Sequence, residues 1–291
     1  MGKKIIFVNS FKGGTGKTTL SMSHCIDNLF HVHTYENVIY LDLDVLGTAT
    51  SYLFEDGKLP EEESFDKTGR TKEIELKSKS TGETGVLYVG YLGPEMKKSS
   101  NYGEPCFLHH QKMSEEIFIK KITDFIDDQI NADASCLIVV DCAPGFGEIE
   151  QKVLADCYKK KGVEIEEEYL VTLDSSHVKK CIQGLIEHSA ASDRTQPHIC
   201  IVVNDVQNYC GYLTERGRDE MTEMNGIMQA IYDNMSAKSP KLSMAFRLWR
   251  YTQEIAVKSV YTRSTYLEND VDDYRFTGEN YVEWEEGKGF V

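Results

Sequence analysis

Residues 11–19 read FKGGTGKTT, and they lie between an apolar stretch at residues 5–9 and a stretch with helical character from Lys17 to about Phe30. Closely spaced glycines let the backbone turn tightly enough for successive N–H groups to converge on one anion. A helix that begins directly after the turn adds the positive end of its dipole at the same place. The stretch therefore predicts a phosphate-binding loop between a first strand and a first helix.

The loop fits the P-loop spacing GxxxxGK(S/T) only loosely, because the first glycine of that spacing is absent and a lysine precedes the glycine pair. In such a loop, Lys17 reaches the β- and γ-phosphates of a nucleotide, and the hydroxyl of Thr18 binds Mg²⁺. The residues predicted to contact the nucleotide are Lys12, Gly13, Gly14, Thr15, Gly16, Lys17, Thr18 and Thr19.

The composition indicates a folded protein that does not span a membrane. Of the 291 residues, 41% are hydrophobic and 27% are charged, which is ordinary for globular domains. No apolar run approaches the ~18 residues that a transmembrane helix needs, and the eight cysteines form no CxxC pair. We therefore expect a cytoplasmic protein with reduced thiols. The net charge of −15 argues against nucleic-acid binding by the surface as a whole, but it allows a local basic patch.

Apolar strand-like runs alternate with helix-like stretches along the chain. This alternation predicts an α/β fold, with a mostly parallel sheet and helices on both faces. No linker divides the sequence, so we expect one domain over residues 1–291. It carries a polar excursion at about 55–85, interpreted as a solvated surface hairpin, and an acidic tail at about 264–291. Strands are predicted at residues 5–9, 37–42, 86–91, 136–140, 169–173 and 199–203.

Several motifs together resemble the ParA/MinD group of ATPases, whose P-loop is called a deviant Walker A motif. KGGTGKTT at 12–19 looks like that motif itself. The resemblance implies a P-loop NTPase fold, ATP or ADP with Mg²⁺ as cofactors, and slow ATP hydrolysis. Further similar segments are LDLD (41–44) with GTAT (47–50) for switch I, CLIVVDCAP (136–144) for Walker B and switch II, ICIVVND (199–205), and, weakly, AFRLWRYTQEIAV (245–257).

The resemblance also implies roles for individual residues. Asp44 would orient the attacking water, and Asp141, which follows an apolar run, would hold Mg²⁺ through a water. Asp42 either supports the waters of Mg²⁺ or is structural. Lys12 would cross a dimer interface to the partner's nucleotide, alongside Lys17 of the same loop. Asn204 would hydrogen-bond the adenine edge, because a side-chain amide both donates and accepts.

Two of these motifs, switch I and switch II, depart from the family's pattern. Val45-Leu46 stands where the family has Pro-Gln, and Gly145 replaces the second proline of the switch II turn. These departures leave nucleotide binding intact and bear on the rate of hydrolysis and on partner contacts.

The resemblance implies partners as well. We expect an ATP-dependent homodimer and a stimulating protein partner. A late basic run is a candidate for non-specific DNA contact, and the alternative interpretation is a solvated face or a nucleotide-adjacent segment. The tail lacks a basic amphipathic helix, so we expect no membrane cycle. The basic run consists of Lys238, Lys241, Arg247, Arg250, Lys258 and Arg263.

The favoured function is therefore an ATP-hydrolysing switch that forms a nucleotide-sandwich dimer and positions or partitions DNA or another cargo. One alternative is a weakly hydrolysing or non-hydrolysing adaptor that uses nucleotide as a structural ligand. Another is a metallocluster-carrier ATPase, for which Cys106 and Cys142 are conceivable cluster ligands. A bacterial-type P-loop tyrosine kinase is a further alternative, but the Val45-Leu46-Gly47 stretch does not fit its pattern.

Overall fold

The computed structural model of the protein describes residues 2–44, 54, 59–93, 115–145, 147–172, 181, 183–185, 198–204, 222, 225–226, 228–230, 232–233, 243–249, 271 and 281–290. Within this part of the chain, one sheet carries the fold. Its strands are β1 (Lys3–Asn9), β2 (Asn37–Asp42), β3 (Lys72–Lys77), β4 (Thr84–Gly90), β5 (Cys136–Asp141), β6 (Glu164–Thr172), β7 (His198–Asn204), β8 (Ser243–Trp249), β9 (Tyr281–Glu285) and β10 (Gly289–Phe290).

Four α-helices are described between these strands. The first continues through a π-helical turn at Asn28–Val32, and the second, a single short turn, follows a 3₁₀ turn at Glu61–Glu63. The helices are α1 (Lys17–Asp27), α2 (Phe65–Thr68), α3 (Glu115–Asn131) and α4 (Glu148–Cys157).

The strand order across the sheet is β10-β9-β8-β7-β6-β1-β5-β2-β4-β3. The seven strands from β8 to β4 run parallel, whereas β3 at one edge and β9 and β10 at the other are antiparallel to their neighbours. The predicted mostly parallel sheet is confirmed. Because parallel strands share one carboxyl edge, β1, β2 and β5 end side by side, where α/β sheets place their ligands.

Helices cover both faces of the sheet, as predicted. On one face, Leu20 and Met22 of α1 pack with Ile6 and Val8 of β1. On the other face, Phe118 and Ile122 of α3 and Val153 of α4 pack with the alternate residues of β1 and β5. Successive strand residues point to opposite faces, so the apolar runs at residues 5–8 of β1 and 136–140 of β5 contribute to both cores.

The polar excursion contains a hairpin, but one side of it is buried. β3 pairs antiparallel with β4 at the end of the sheet. Ile74 and Leu76 are buried in the core on the α1 face, whereas Glu73, Glu75 and Lys77 are exposed. The interpreted hairpin is present, but only one of its sides is solvated, because the charged residues alternate with two apolar residues that form a buried stripe.

The first half of β6 was not predicted as a strand. The strand begins at Glu164 rather than at Tyr169, and it brings three consecutive glutamates inside. The side chains of Glu166, Glu167 and Glu168 are 2%, 0% and 0% exposed. Such burial requires partners, because an unpaired buried carboxylate costs several kcal/mol.

Partners for the glutamates come from both faces of the sheet. On the α1 face, Glu166 contacts Lys4 at 2.7 Å and Arg247 at 2.8 Å. Glu168 on the same face contacts His24 at 2.7 Å and Arg247 at 3.2 Å. On the other face, Glu167 accepts hydrogen bonds from Tyr158 and Tyr169 at 2.6 and 2.7 Å. We call the first group, Lys4, His24, Glu166, Glu168 and Arg247, the β6 ionic cluster.

Part of the acidic tail completes one edge of the sheet. β9 pairs antiparallel with β8, and β10 pairs with β9. None of the helices that the structure describes is long and apolar enough to cross a membrane.

Candidate nucleotide-binding site

The glycine-rich loop leaves β1 in a tight turn that needs glycine at two points. Gly14 and Gly16 have φ values of 74° and 97°, in the left-handed region that side chains disfavour. The Ser10 hydroxyl donates a hydrogen bond to the Lys12 carbonyl at 2.7 Å. The Gly145 N–H donates to the Ser10 carbonyl at 2.8 Å. These bonds tie the loop both to itself and to the turn that follows β5.

The first turn of α1 is arranged to receive an anion. Gly16 is the N-cap and provides no side-chain cap, and the first turn has no acidic residue. The first N–H groups of the helix therefore point, with the positive end of the dipole, toward the loop. Lys17, the first residue of the helix, is 5% exposed, and Thr15 in the loop is 2% exposed. Lys12, at the start of the loop, is exposed to solvent.

Asp141, the last residue of β5, lies against the loop helix. The Thr18 hydroxyl donates to Asp141 Oδ2 at 2.6 Å, and the Tyr40 hydroxyl donates to the same oxygen at 2.9 Å. The other oxygen, Oδ1, is buried without a hydrogen-bond partner among the described residues. The carboxylate is therefore hydrogen-bonded at Oδ2 only. We call Oδ1 the open oxygen, because it is buried but accepts no hydrogen bond from the described residues.

Two more carboxylates lie next to Asp141. Asp42 ends β2 and is the register partner of Asp141 on the adjacent strand. Both residues are almost fully buried, and Asp44 is 7% exposed. The Asp44 N–H donates to Asp42 Oδ1 at 3.0 Å, and the Leu43 N–H donates to the Asp141 carbonyl at 2.9 Å. The chain is thus fixed as it leaves β2, with Asp44 just beyond the sheet edge.

This arrangement raises the pKa of Asp141 to about 7, first through burial and second through the nearby negative charge of Asp42. The charge of Lys17 and the hydrogen bonds from Thr18 and Tyr40 act in the opposite direction without cancelling these effects. Two buried carboxylates beside one lysine leave excess negative charge at the foot of the loop. A cation bound there would relieve it.

The residues present fit a magnesium ion. Mg²⁺ prefers oxygen ligands and keeps several of its waters, and it is typically held by one or two carboxylates together with nucleotide phosphates. Asp141 offers its unpartnered Oδ1, and Asp42 adds a second buried carboxylate. The Thr18 hydroxyl donates its hydrogen to Asp141, so its oxygen lone pairs remain available to a metal. The predicted metal set, Thr18, Asp42 and Asp141, is therefore brought together.

The turn after β5 is braced by a residue of α4. The Ala143 N–H donates to Glu150 Oε1 at 2.9 Å, and the side chain of Glu150 is buried. Burial raises the pKa of Glu150, although hydrogen bonds from backbone N–H groups oppose the shift. A Cβ at Gly147 would meet Glu150 Oε2 at 2.7 Å, so any side chain there would require the Glu150 carboxylate to move. Gly145 has φ 96°, which makes it the bending point of the turn.

The remaining predicted site residues lie farther from this group or outside the described part of the chain. Asn204 is the last residue of β7, which is separated from β1 by β6. Arg247 lies on β8, and its guanidinium is engaged in the β6 ionic cluster. Lys238, Lys241, Arg250, Lys258 and Arg263 lie outside the described residues, as do Val45-Leu46 and Cys106.

Sequence reasoning missed two residues of the site, Tyr40 and Glu150. Tyr40 was hidden in the apolar run of β2, but it is two residues before Asp42 and so shares its face of the sheet. Glu150 is the third residue of α4, where a glutamate commonly reaches back to the backbone at the helix start. The spacing Gly147-x-x-Glu150 was the available signal.

Comparison with known proteins supports the fold. No protein-family model matches the chain, and no curated protein matches it. The solved structure of pnob8 ParA is similar, with a TM-score of 0.55 and 15% identity, covering 83% of this chain and 75% of that chain. A complex of an McdA variant from Cyanothece with ATP has a TM-score of 0.50 and 10% identity, covering 94% of this chain and 95% of that chain.

At these identities the likeness is one of fold. The chain has the α/β P-loop fold of ParA and McdA, and the ParA-like resemblance read from the motifs is confirmed at that level. The roles of individual residues depend on the geometry of the site itself.

Proposed function

We propose that this protein is an ATP-driven switch. It binds ATP with Mg²⁺, closes into a homodimer with two nucleotides at the interface, and hydrolyses ATP to open again. The observation that carries the proposal is the contact between Thr18 and Asp141 at the foot of the phosphate loop, with Asp42 and Asp44 beside it. In this arrangement, phosphate recognition, a metal site and a carboxylate for water meet at one sheet edge.

Binding follows from the loop. The N–H groups from Gly13 to Thr19 face the phosphates, and Lys17 neutralises the β- and γ-phosphoryl oxygens. When bound, Mg²⁺ would supply charge neutralisation between these oxygens. Thr18 and Asp141 would hold it, and Asp42 would orient its waters. Asn204, at the end of β7, is the proposed adenine contact.

Hydrolysis requires positioning more than covalent chemistry. Asp44 lies just past the strand end, and its backbone is fixed by Asp42, so its carboxylate can orient a water for attack on the γ-phosphate. Lys12 is exposed on the loop, as a residue that serves a partner subunit's nucleotide must be. Its positive charge would stabilise the charge that develops on that γ-phosphate, as an arginine finger does.

The proposal is tested by the mass of the protein in solution, measured by light scattering with ADP and with ATP and Mg²⁺. Wild type should be monomeric with ADP and dimeric with ATP. Asp44→Ala should give dimers that persist at least about tenfold longer, because hydrolysis no longer opens them. Lys12→Ala should hydrolyse slowly, with ATP affinity changed much less than the rate. Lys120→Ala, which removes an equally exposed lysine from α3, is the control and should behave as wild type.

Each outcome has a definite meaning. If wild type binds ATP but stays monomeric with both nucleotides, the sandwich dimer and the trans role of Lys12 are both overturned. Tight ATP binding with turnover near zero would favour the adaptor instead. Val45-Leu46, at the place of the family's Pro-Gln, is the observation that keeps the adaptor as the second candidate.

The cargo branch of the proposal is ParA-like positioning of DNA or of another assembly, as the ParA and McdA fold suggests. DNA binding would use Lys238, Lys241, Arg250, Lys258 and Arg263, while Arg247 serves the β6 ionic cluster. ATP-dependent retention on random-sequence DNA, weakened by salt and by joint Lys238→Glu and Lys241→Glu substitution, would support it. Retention that is equal in both proteins would place DNA contact on other residues, and wild type that is not retained would point to another cargo.

The metallocluster carrier is less well supported. Cys142 is fully buried, and burial raises the pKa of its thiol well above its usual value. A cluster that bridges two subunits needs accessible thiolates, which this position does not provide.

A further inference from the structure

Tyr40 carries a hydroxyl in the apolar middle of β2, between Ile39 and Leu41. It lies on β2 with Val38 and Asp42 on the same face of the sheet, and its ring is 0% exposed. Ring burial alone would be served by leucine or phenylalanine. The hydroxyl must therefore have a partner, since an unsatisfied buried hydroxyl costs about 1–3 kcal/mol.

That partner is the carboxylate of Asp141. The distance from the Tyr40 hydroxyl to Oδ2 is 2.9 Å, and burial, together with the charges of Asp141 and Asp42, raises the pKa of Tyr40 well above its usual value. Tyr40 is therefore a neutral hydrogen-bond donor. Thr18, from α1, donates to the same oxygen at 2.6 Å.

Two donors on one oxygen have a geometric consequence. The torsion that rotates an aspartate carboxylate is broad and roughly two-fold, so a single hydrogen bond leaves the plane of the group free to swing. Donors that reach Oδ2 from α1 and from β2 fix the plane and leave Oδ1 as the open oxygen. The arrangement thus uses three separate elements to orient one carboxylate.

We propose that Tyr40 is a positioning residue that presents the open oxygen of Asp141 to the metal of a bound Mg·nucleotide. This inference rests on the proposed function and adds a residue to it. Outer-shell partners of this kind commonly contribute 10–100-fold to metal affinity. Tyr40 touches neither nucleotide nor metal, so the loss of its hydroxyl is expected to affect metal dependence and not nucleotide affinity as such.

The experiment compares full-length wild type with Tyr40→Phe, which keeps the ring. Binding of Mn²⁺, as a paramagnetic stand-in for Mg²⁺, is followed by electron paramagnetic resonance at fixed ADP. In parallel, a fluorescent ATP analogue is titrated over a range of Mg²⁺ concentrations and in EDTA. The metal concentration at half-saturation should rise about tenfold in Tyr40→Phe. Nucleotide affinity in EDTA should stay within about twofold, which also reports an intact fold.

Tyr169→Phe is the matched control. Tyr169 is also a buried tyrosine on a central strand, and it also donates to a buried carboxylate, Glu167, at 2.7 Å. Its substitution removes the same kind of hydrogen bond, so it should lower thermal stability to a similar extent and leave the metal midpoint unchanged. ATP turnover at saturating Mg²⁺ should be close to wild type in Tyr169→Phe.

The outcomes separate this inference from the function on which it rests. If wild type shows no metal-dependent nucleotide binding, both are overturned. If wild type shows it and Tyr40→Phe has the same metal midpoint, only the role of Tyr40 is overturned. An equal rise in the midpoint for Tyr169→Phe would also overturn it, because a general loss of stability would then explain the effect.

Discussion

Asp141 is subject to opposing requirements. Metal binding needs an ionised carboxylate, yet burial and the charge of Asp42 raise its pKa to about 7. The nucleotide-free protein near neutral pH therefore holds this group between its two protonation states. A bound cation favours the ionised form, so metal binding at this residue is coupled to proton release.

The raised pKa makes the stability of the nucleotide-free protein depend on pH. In the unfolded chain the carboxyl has its ordinary pKa of 3.8, so the folded state binds more protons between pH 4 and about 7. The contribution of Asp141 is thus fully present below about pH 4 and is lost as pH rises through 7. The free energy of unfolding of Asp141→Asn should exceed that of wild type by roughly 2–4 kcal/mol at pH 8 and by less at pH 5. The variant should therefore unfold at a higher urea concentration.

Urea unfolding of both proteins at pH 5, 6, 7 and 8 measures this difference. Using the difference removes groups common to the two proteins, such as Glu166, which titrates in acid. Parallel profiles would contradict the buried environment beside Asp42 described for Asp141.

Gly14 and Gly69 form a matched pair for glycine-to-alanine substitution. Both have positive φ, 74° and 67°, and an added Cβ would meet nothing within 4 Å at either position. Alanine should therefore cost about 1–2 kcal/mol of stability through backbone strain at each. Only Gly14→Ala should also weaken nucleotide binding, because only Gly14 shapes the phosphate loop. Thermal melts and nucleotide titrations of the two variants check this, and equal nucleotide affinities would contradict it.

At the scale of elements, β6 shows where sequence patterns succeed and fail. The apolar second half of the strand was predicted, as were β1, β2, β5 and β7, because a buried parallel strand reads as a continuous apolar run. The glutamates at 166–168 read as surface, because glutamate is depleted in strands. Their partners lie far along the chain, with His24 144 positions from Glu168 and Arg247 81 positions from Glu166. No local pattern contains that information.

The candidate site divides in the same way. The positions of the phosphate loop and of Asp42, Asp44 and Asp141 could be predicted, because each lies at or just past the end of a strand at the same sheet edge, and their proposed roles came from the family resemblance. Tyr40 could not be assigned a role, because its function depends on the register between β2 and β5. The basic run could be noticed, but the engagement of Arg247 with buried glutamates depends on the pairing of β6, β7 and β8.

Arg247 is predicted to be the most sensitive position of the β6 ionic cluster. Burial alone would raise the pKa of Glu166, but Arg247 and Lys4 outweigh it and lower that pKa to about 2. Arg247→Met leaves two buried glutamates with only Lys4 and His24, so it should destabilise the fold by about 3–5 kcal/mol. Lys120→Met, which breaks an exposed pair with Asp124, should cost less than about 0.5 kcal/mol. Chemical unfolding at pH 7 compares them.

The stability contribution of Glu166 depends on pH in the opposite direction from that of Asp141. Because the pKa of Glu166 is lowered from 4.5, its contribution is present above pH 4.5 and is lost as pH falls toward 2. Arg247→Met should therefore lose less stability than wild type over that interval. A destabilisation of Arg247→Met no larger than that of Lys120→Met would show that the cluster does not hold β6 in place.

Ligand binding should raise the free energy of unfolding of the protein. A ligand that binds only the folded state, at 100 times its Kd, stabilises it by about 2.7 kcal/mol. For a chain of this size that corresponds to a rise in Tm of several degrees. ATP with Mg²⁺ should give this rise, ATP in EDTA a smaller one, and Asp141→Asn should reduce the difference between the two. Differential scanning fluorimetry measures all three, and a wild-type Tm indifferent to Mg²⁺ would contradict the metal site.

The central position of β1 has a consequence for how the protein is made. β1 precedes all the other described strands along the chain, yet its neighbours in the sheet are β5 and β6, and the phosphate loop is tied to the turn after β5. At about 5–20 residues per second, the ribosome needs on the order of ten seconds or more to deliver those strands. Until then β1 lacks both of its neighbours in the sheet. A nascent chain that ends before β6 is therefore expected to retain no nucleotide. We expect chaperones that bind unfolded chains to have their longest access to this protein during that interval.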